Sequence, residues 1–188
     1  MRLGQDKTLE TIGNRSLLER VLGQLSFLDS DVLVVTAQEL SYPQLSIYPR
    51  LRIVSDIYPA KGPLGGIYTG LRLSNSFHNL VVACDMPFLN RDLLGYLVAE
   101  SADYDLVVPR LGDLVEPLHA VYSKACLAPI EYLLERGRLG VRELFSLVRV
   151  RYVAAWEIER FDPEHLSFFN INTRSDLARA KDLLGDKV

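Results

Sequence analysis

Residues 51–67 read Leu51-Arg52-Ile53-Val54-Ser55-Asp56-Ile57-Tyr58-Pro59-Ala60-Lys61-Gly62-Pro63-Leu64-Gly65-Gly66-Ile67. An apolar run gives way to a turn built of proline and glycine, and the turn opens onto a helical pattern at residues 64–73. Pro63 stands near the first helical position, where its missing N–H costs nothing. Strand, tight turn and helix in that order form the unit from which α/β folds are wound.

Outward from this unit the same alternation repeats. Residues 31–36 (DVLVVT), 80–84 (LVVAC) and 106–109 (LVVP) are short, valine-rich and almost continuously apolar, as strands covered on both faces require. Between them lie helical patterns. Across residues 14–28 the positions Leu17, Leu18, Val21, Leu22, Leu25 and Leu28 fall on one face. Residues 91–99, 125–135 and 174–184 read the same way. Residues 148–154 (VRVRYVA) alternate only in part and predict a strand on a more solvated edge. No repeat or linker divides the chain. The expectation is one α/β domain over residues 1–188, with right-handed βαβ units, a mainly parallel sheet and helices on both sides.

Composition narrows the function classes. There are 188 residues, 21 Lys plus Arg, 24 Asp plus Glu and a net charge of −3, which argues against broad binding to nucleic acid or anionic membrane. Cys84 and Cys126 are too few for a disulfide scaffold and lack metal-ligand spacing. No apolar run approaches the ~20 residues of a membrane span. A cytoplasmic setting is expected, with no nucleic-acid or membrane partner.

Ligands of open α/β sheets bind beyond the carboxyl ends of the strands, so chemistry is sought just after each apolar run. Near the amino terminus, Arg2 and Lys7 bracket Gly4, which suits either a close anion or an ordinary solvated terminus. In the 56–67 turn, Gly62, Gly65 and Gly66 let backbone amides crowd an anion or a flat base at a helix N-terminus, unless this is a plain loop. Asp56, at the strand end, is placed to accept hydrogen bonds from a ring or a ribose. Asp85 follows the most apolar strand; it either holds a hard cation such as Mg²⁺ together with substrate phosphates or caps the next turn. Cys84 reads as a small buried hydrophobe. Residues 116–122 (EPLHAVY) place Glu116 and His119 on a strand near the crevice. Asn170 and Asn172 sit at alternate positions, and Thr173 is a helix N-cap candidate.

Taken in order, these clusters resemble the molybdenum cofactor guanylyltransferase family, nucleotidyltransferases of Rossmann-like fold. Arg2-Leu3-Gly4-Gln5-Asp6-Lys7-Thr8-Leu9 is similar to that family's Arg-Met-Gly-x-Asp-Lys-x-Leu, and Asp56 through Ile67 to its Asp-x-x-x-x-x-Gly-Pro-Leu-x-Gly-Ile. Its Cys-Asp-x-Pro resembles residues 84–87, its Pro-Leu-x-Ala-x-Tyr residues 117–122, and its Asn-x-Asn-Thr residues 170–173. The resemblance implies a three-layer sandwich of the nucleotide-diphospho-sugar transferase type. It also implies transfer of GMP from GTP to molybdopterin, with release of pyrophosphate and Mg²⁺ as cofactor. Lys7, Arg2 and Asp85 would be catalytic, with Asp85 on the metal; Lys7, Gln38, Asp56, Gly62, Leu64, Gly66 and Asp85 would bind the nucleotide; Asn170, Asn172 and His119 would face the pterin. Cofactor-delivery proteins and acceptor molybdoenzymes are the implied partners. A related cytidylyl- or sugar-phosphate nucleotidyltransferase, or a non-catalytic nucleotide-binding relative, is the alternative. The family's first strand and Gly-rich loop precede the arginine that here is Arg2, so the chain is expected to be truncated relative to the family, with neighbouring strand edges exposed.

Overall fold

The computed structural model describes residues 10–37, 48 and 50–185. A two-residue ribbon, β1 (Thr11–Ile12) and β2 (Arg15–Ser16), leads into α1 (Leu17–Leu25). Ser16 starts α1 with a capping box: its hydroxyl accepts from Glu19 N at 3.2 Å, and Glu19 accepts from Ser16 N at 2.7 Å. β3 (Val32–Thr36) and β4 (Leu51–Ser55) pair in parallel, with Val34 opposite Ile53. Then come α2 (Gly62–Leu73), β5 (His78–Val82), α3 (Arg91–Ala99), β6 (Leu106–Leu111), β7 (Leu114–Val115) and β8 (His119–Ser123). α4 (Leu127–Glu135), β9 (Val150–Ala154), α5 (Ala155–Ile158) and α6 (Arg174–Leu183) complete the order.

The second sheet is mixed. β8 lies between β5 and β6 and runs antiparallel to both, while β9 pairs with β6 in parallel. β7 folds back on the far end of β6. β5 starts two residues before the apolar run suggests: His78 pairs with Ser123, and Ala83 adds one further bond, to Leu118 O at 2.9 Å. β9 occupies the edge beyond β6, where the weaker alternation of residues 148–154 placed it.

Alternation along these strands builds three layers. Leu106, Val108, Ala120 and Tyr122 face Leu64, Ile67 and Leu71 of α2 and Ile130 and Leu133 of α4. Val107, Val121 and Val153 point the other way, onto Leu93 and Leu97 of α3 and Ile158 of α5. The α/β sandwich with helices on both faces follows from that period of two.

Among the described residues the two sheets are not joined. β3 and β5 each have one ladder partner among the described residues. Their other edges border a cavity of about 1690 Å³, lined by residues 32–35, residues 78–82, α1 (Leu18, Val21, Leu22) and α2 (Gly66, Ile67).

Candidate active site

Toward their carboxyl ends β3 and β5 line this cavity, at Val35 and at Val82 through Asp85. Asp56 N–H donates to Thr36 O at 2.8 Å, which ties the end of β4 to the end of β3. The Asp56 carboxylate is fixed rather than mobile: its Oδ1 accepts from Thr69 Oγ1 at 2.6 Å and from Tyr58 N at 3.0 Å. Thr69 is fully buried in α2 and its hydroxyl also accepts from Ile57 N at 2.9 Å, so one side chain sets both Asp56 and the turn after it. Thr69 was not singled out from sequence. A threonine on the apolar face of a helix, among Leu64, Ile67, Tyr68 and Leu71, is the signal that marks it.

The glycines divide by role. Gly62 has φ of +64°, which a side chain would strain. At Gly65 a Cβ would lie 2.8 Å from Tyr58 O and 3.2 Å from Asp56 Oδ2, so this position must be glycine for the first turn of α2 to close on Asp56. At Gly66 a Cβ would meet nothing within 4 Å, and the residue lines the cavity with Pro63 and Ile67. Leu64 is fully buried in the core under α2, so what it offers a ligand is backbone, not side chain.

Asp85 lines the same cavity, half-buried, beside Cys84. Burial, then the charge of Asp85, pushes the Cys84 thiol up to about 11, which keeps it protonated and excludes it as a nucleophile at neutral pH. Asp85 O accepts from Ile171 N at 3.0 Å, and this bond brings Asn172 and Thr173 to the cavity rim. Thr173 is the N-cap of α6: its hydroxyl accepts from Asp176 N at 3.1 Å, and Asp176 in return accepts from Asn172 N and Thr173 N. Asn172 is therefore held by a capping box at one end and by the strand-end aspartate at the other.

Two of the residues expected on the pterin side differ. Asn170 does not line the cavity; its amide donates to Phe168 O at 3.3 Å. His119 is fully buried with its ring edge-on to Phe168, 4.9 Å between centroids, and burial lowers it to about 4. The cause is register: His119 shares a strand face with Val121, which packs on the α3 and α5 layer, while the adjacent Leu118 faces the cavity. Arg2, Lys7 and Gln38 lie outside the described residues. Among the described residues no cluster of three His, Cys, Asp or Glu forms a metal cage. A half-buried carboxylate at a cleft mouth does suit a hard cation that takes its remaining ligands from phosphates and water.

Residues 1–154 match the family model described as the MobA-like NTP transferase domain. A protein of Syntrophotalea carbinolica named molybdenum cofactor guanylyltransferase is 33% identical over 180 residues, covering 95% of this chain and 84% of its own. The chain belongs to the molybdenum cofactor guanylyltransferase family. It is a nucleotidyltransferase by that membership. The crystal structure of molybdopterin-guanine dinucleotide biosynthesis protein A from Archaeoglobus fulgidus superposes with a TM-score of 0.83 at 29% identity, covering 98% of this chain and 93% of that one. The 2-C-methyl-D-erythritol 4-phosphate cytidylyltransferase of Thermus thermophilus shares the fold at 18% identity, with a TM-score of 0.72 over 98% of this chain and all of that one. The fold, the family and the α/β sandwich thus agree with the motif reading. No helix among the described residues is long and apolar enough to cross a membrane.

Proposed function

We propose that this chain transfers GMP from GTP to molybdopterin in the cytoplasm, giving the guanine dinucleotide cofactor and pyrophosphate. The observation that carries the reading is one cleft lined by the first turn of α2 (Pro63, Gly66, Ile67) and by Asp85 and Asn172, with the Asp56 carboxylate locked by Thr69 against that same turn.

Asp56 accepts hydrogen bonds from the nucleoside, and the α2 turn offers backbone at Gly62, Leu64 and Gly66 to the base, with Gly66 leaving space for it. Asp85 holds Mg²⁺, which supplies charge neutralisation at the phosphates when bound. Arg2 and Lys7 are assigned to the same phosphates and Gln38 to the nucleotide, on their motif positions. Asn172 at the rim orients the pterin, with Asn170 supporting the segment through Phe168. The attacking group is a phosphate that is already ionised. No general base is needed, and the chain's task is alignment and charge neutralisation.

The test is product analysis with GTP, CTP and UTP, each with molybdopterin and Mg²⁺. The reading expects a guanine dinucleotide product and stoichiometric pyrophosphate from GTP. A cytosine dinucleotide product with GTP ignored would replace the guanine assignment with a cytidylyl one.

A further inference from the structure

A second cavity, of about 400 Å³, opens behind the loop that follows Asp85, and it shares no lining residue with the cleft. Residues 87–90 form one wall; Arg15 from β2, Arg20 from α1 and Arg91 from α3 line the rest with Gly23 and Gln24. Three arginines line it, beside Leu166 and Leu184, and two of their guanidinium groups meet at Gly23, in a chain whose net charge is −3. The one carboxylate in the lining is Asp162, and both its oxygens are already committed, accepting from Leu166 N at 3.1 Å and Ser167 N at 2.8 Å.

The end of α1 gathers the cations. Arg91 Nε donates to Gln24 Oε1 at 3.0 Å and its Nη2 to Gly23 O at 2.8 Å. Arg15 Nη1 lies 4.0 Å from the place a Cβ on Gly23 would occupy, so two guanidinium groups are held over the same residue. Arg20 donates to Ile12 O. The partial negative charge of a helix C-terminus anchors one such cation and falls short of neutralising two. Arg91 is also the first residue of α3, whose N-terminus adds positive potential to the same wall. The Arg15 fork and the remaining Arg91 donors suit an oxyanion taken in bidentate fashion, and the volume lies at the small end of the ~300–1,000 Å³ range of ligand pockets.

We propose that this cavity is a binding site for a phosphate group, separate from the nucleotide cleft. The site does not rest on the proposed reaction; free phosphate, pyrophosphate and a phosphate monoester share the chemistry that would fill it. The experiment is a titration of the ¹⁵N-labelled full chain with inorganic phosphate, pyrophosphate and glycerol 3-phosphate, with ionic strength held constant by chloride. The amide signals of Gly23, Gln24, Asn90 and Arg91 are followed. Saturable shifts at those four amides are expected with at least one probe, and the probe that acts identifies free or esterified phosphate as the source. Arg15→Gln should weaken that binding about tenfold, the loss expected of one charge-assisted hydrogen bond. Arg15→Gln/Arg91→Gln should abolish it, while shifts at the cleft residues Gly66 and Ile67 persist. Arg15 is exposed, so its single replacement leaves the fold intact and guards against an artefact from loss of the Arg91 contacts. Shifts that do not saturate with any probe, or that survive unchanged in both variants, would overturn the proposal.

Discussion

The two sheets of this molecule are built to different standards. The five-stranded half is packed on both faces: Leu106, Val107, Val108, Val121 and Val153 are each 1% exposed or less, and α2, α3, α4 and α5 cover them. A buried ion pair closes its edge. Burial opposes the Glu157 charge, but hydrogen bonds from Arg151, Tyr96 and Ala154 N outweigh it and pull Glu157 down to about 2. Among the described residues the β3–β4 half has two strands, and its cluster holds three buried residues, Leu18, Leu22 and Val34. The candidate chemistry lies where the halves meet, with Asp56 on the sparse side and Asp85 on the packed side. The difference teaches that the scaffold sets one wall of the cleft and the loops set the other.

The largest expected effect falls on the packed wall. Asp85→Asn should lower Mg²⁺-dependent turnover by orders of magnitude, with the thermal midpoint nearly unchanged. Steady-state rates beside a melting curve check this, and undiminished turnover would remove Asp85 from the metal role. Stability should sort by half. Leu106→Ala, fully buried between α2 and α4, should cost about 3 kcal/mol, whereas Val34→Ala beside the cavity should cost about 1. Urea denaturation of both variants measures this, and equal losses would dissolve the contrast.

One pH dependence belongs to the packed half. The folded pKa of His119 lies near 4 against an ordinary 6.5, so the unfolded chain binds the extra proton between those values. Stability is therefore full above pH 6.5 and falls as pH drops toward 4, by roughly 3 kcal/mol at most. His119→Leu should flatten the urea midpoint between pH 7 and 5, a window above the range where Glu157 titrates. A slope equal to that of the wild type would assign it to other groups. A smaller effect probes the joint between the halves. Thr69→Val removes a buried hydroxyl that serves both Asp56 and Ile57 N, and should weaken nucleotide binding by about tenfold. Thr69→Ser should restore it, as a purely steric role would not.

Much of this fold was legible because the apolar runs are short and valine-rich. The strands expected at 31–36 and 51–55 and the helices expected at 64–73 and 91–99 are observed at 32–36, 51–55, 62–73 and 91–99. Register was not legible: β5 begins at His78 because its partner β8 ends at Ser123, a constraint from a residue 45 positions away. The antiparallel insertion of β8 escaped for the same reason, since an alternating run carries no sign of direction. At the candidate site, the positions of Asp56 and Asp85 after strands and of Asn172 before a helix cap were readable from the pattern. Thr69 and Gly65 were harder, because their roles appear only once α2 docks against the end of β4. His119 was misplaced by one step of the pleat, the smallest error that carries a side chain from cleft to core.

The most direct test of the central claim is calorimetry of GTP with Mg²⁺ on the wild-type chain, beside CTP and beside Asp56→Ala. Micromolar GTP binding, about −8 kcal/mol, weakened strongly in Asp56→Ala and far tighter than CTP, is the predicted result. Equal affinity for GTP and CTP, or full affinity without the Asp56 carboxylate, would contradict the account of the cleft as a guanine nucleotide site.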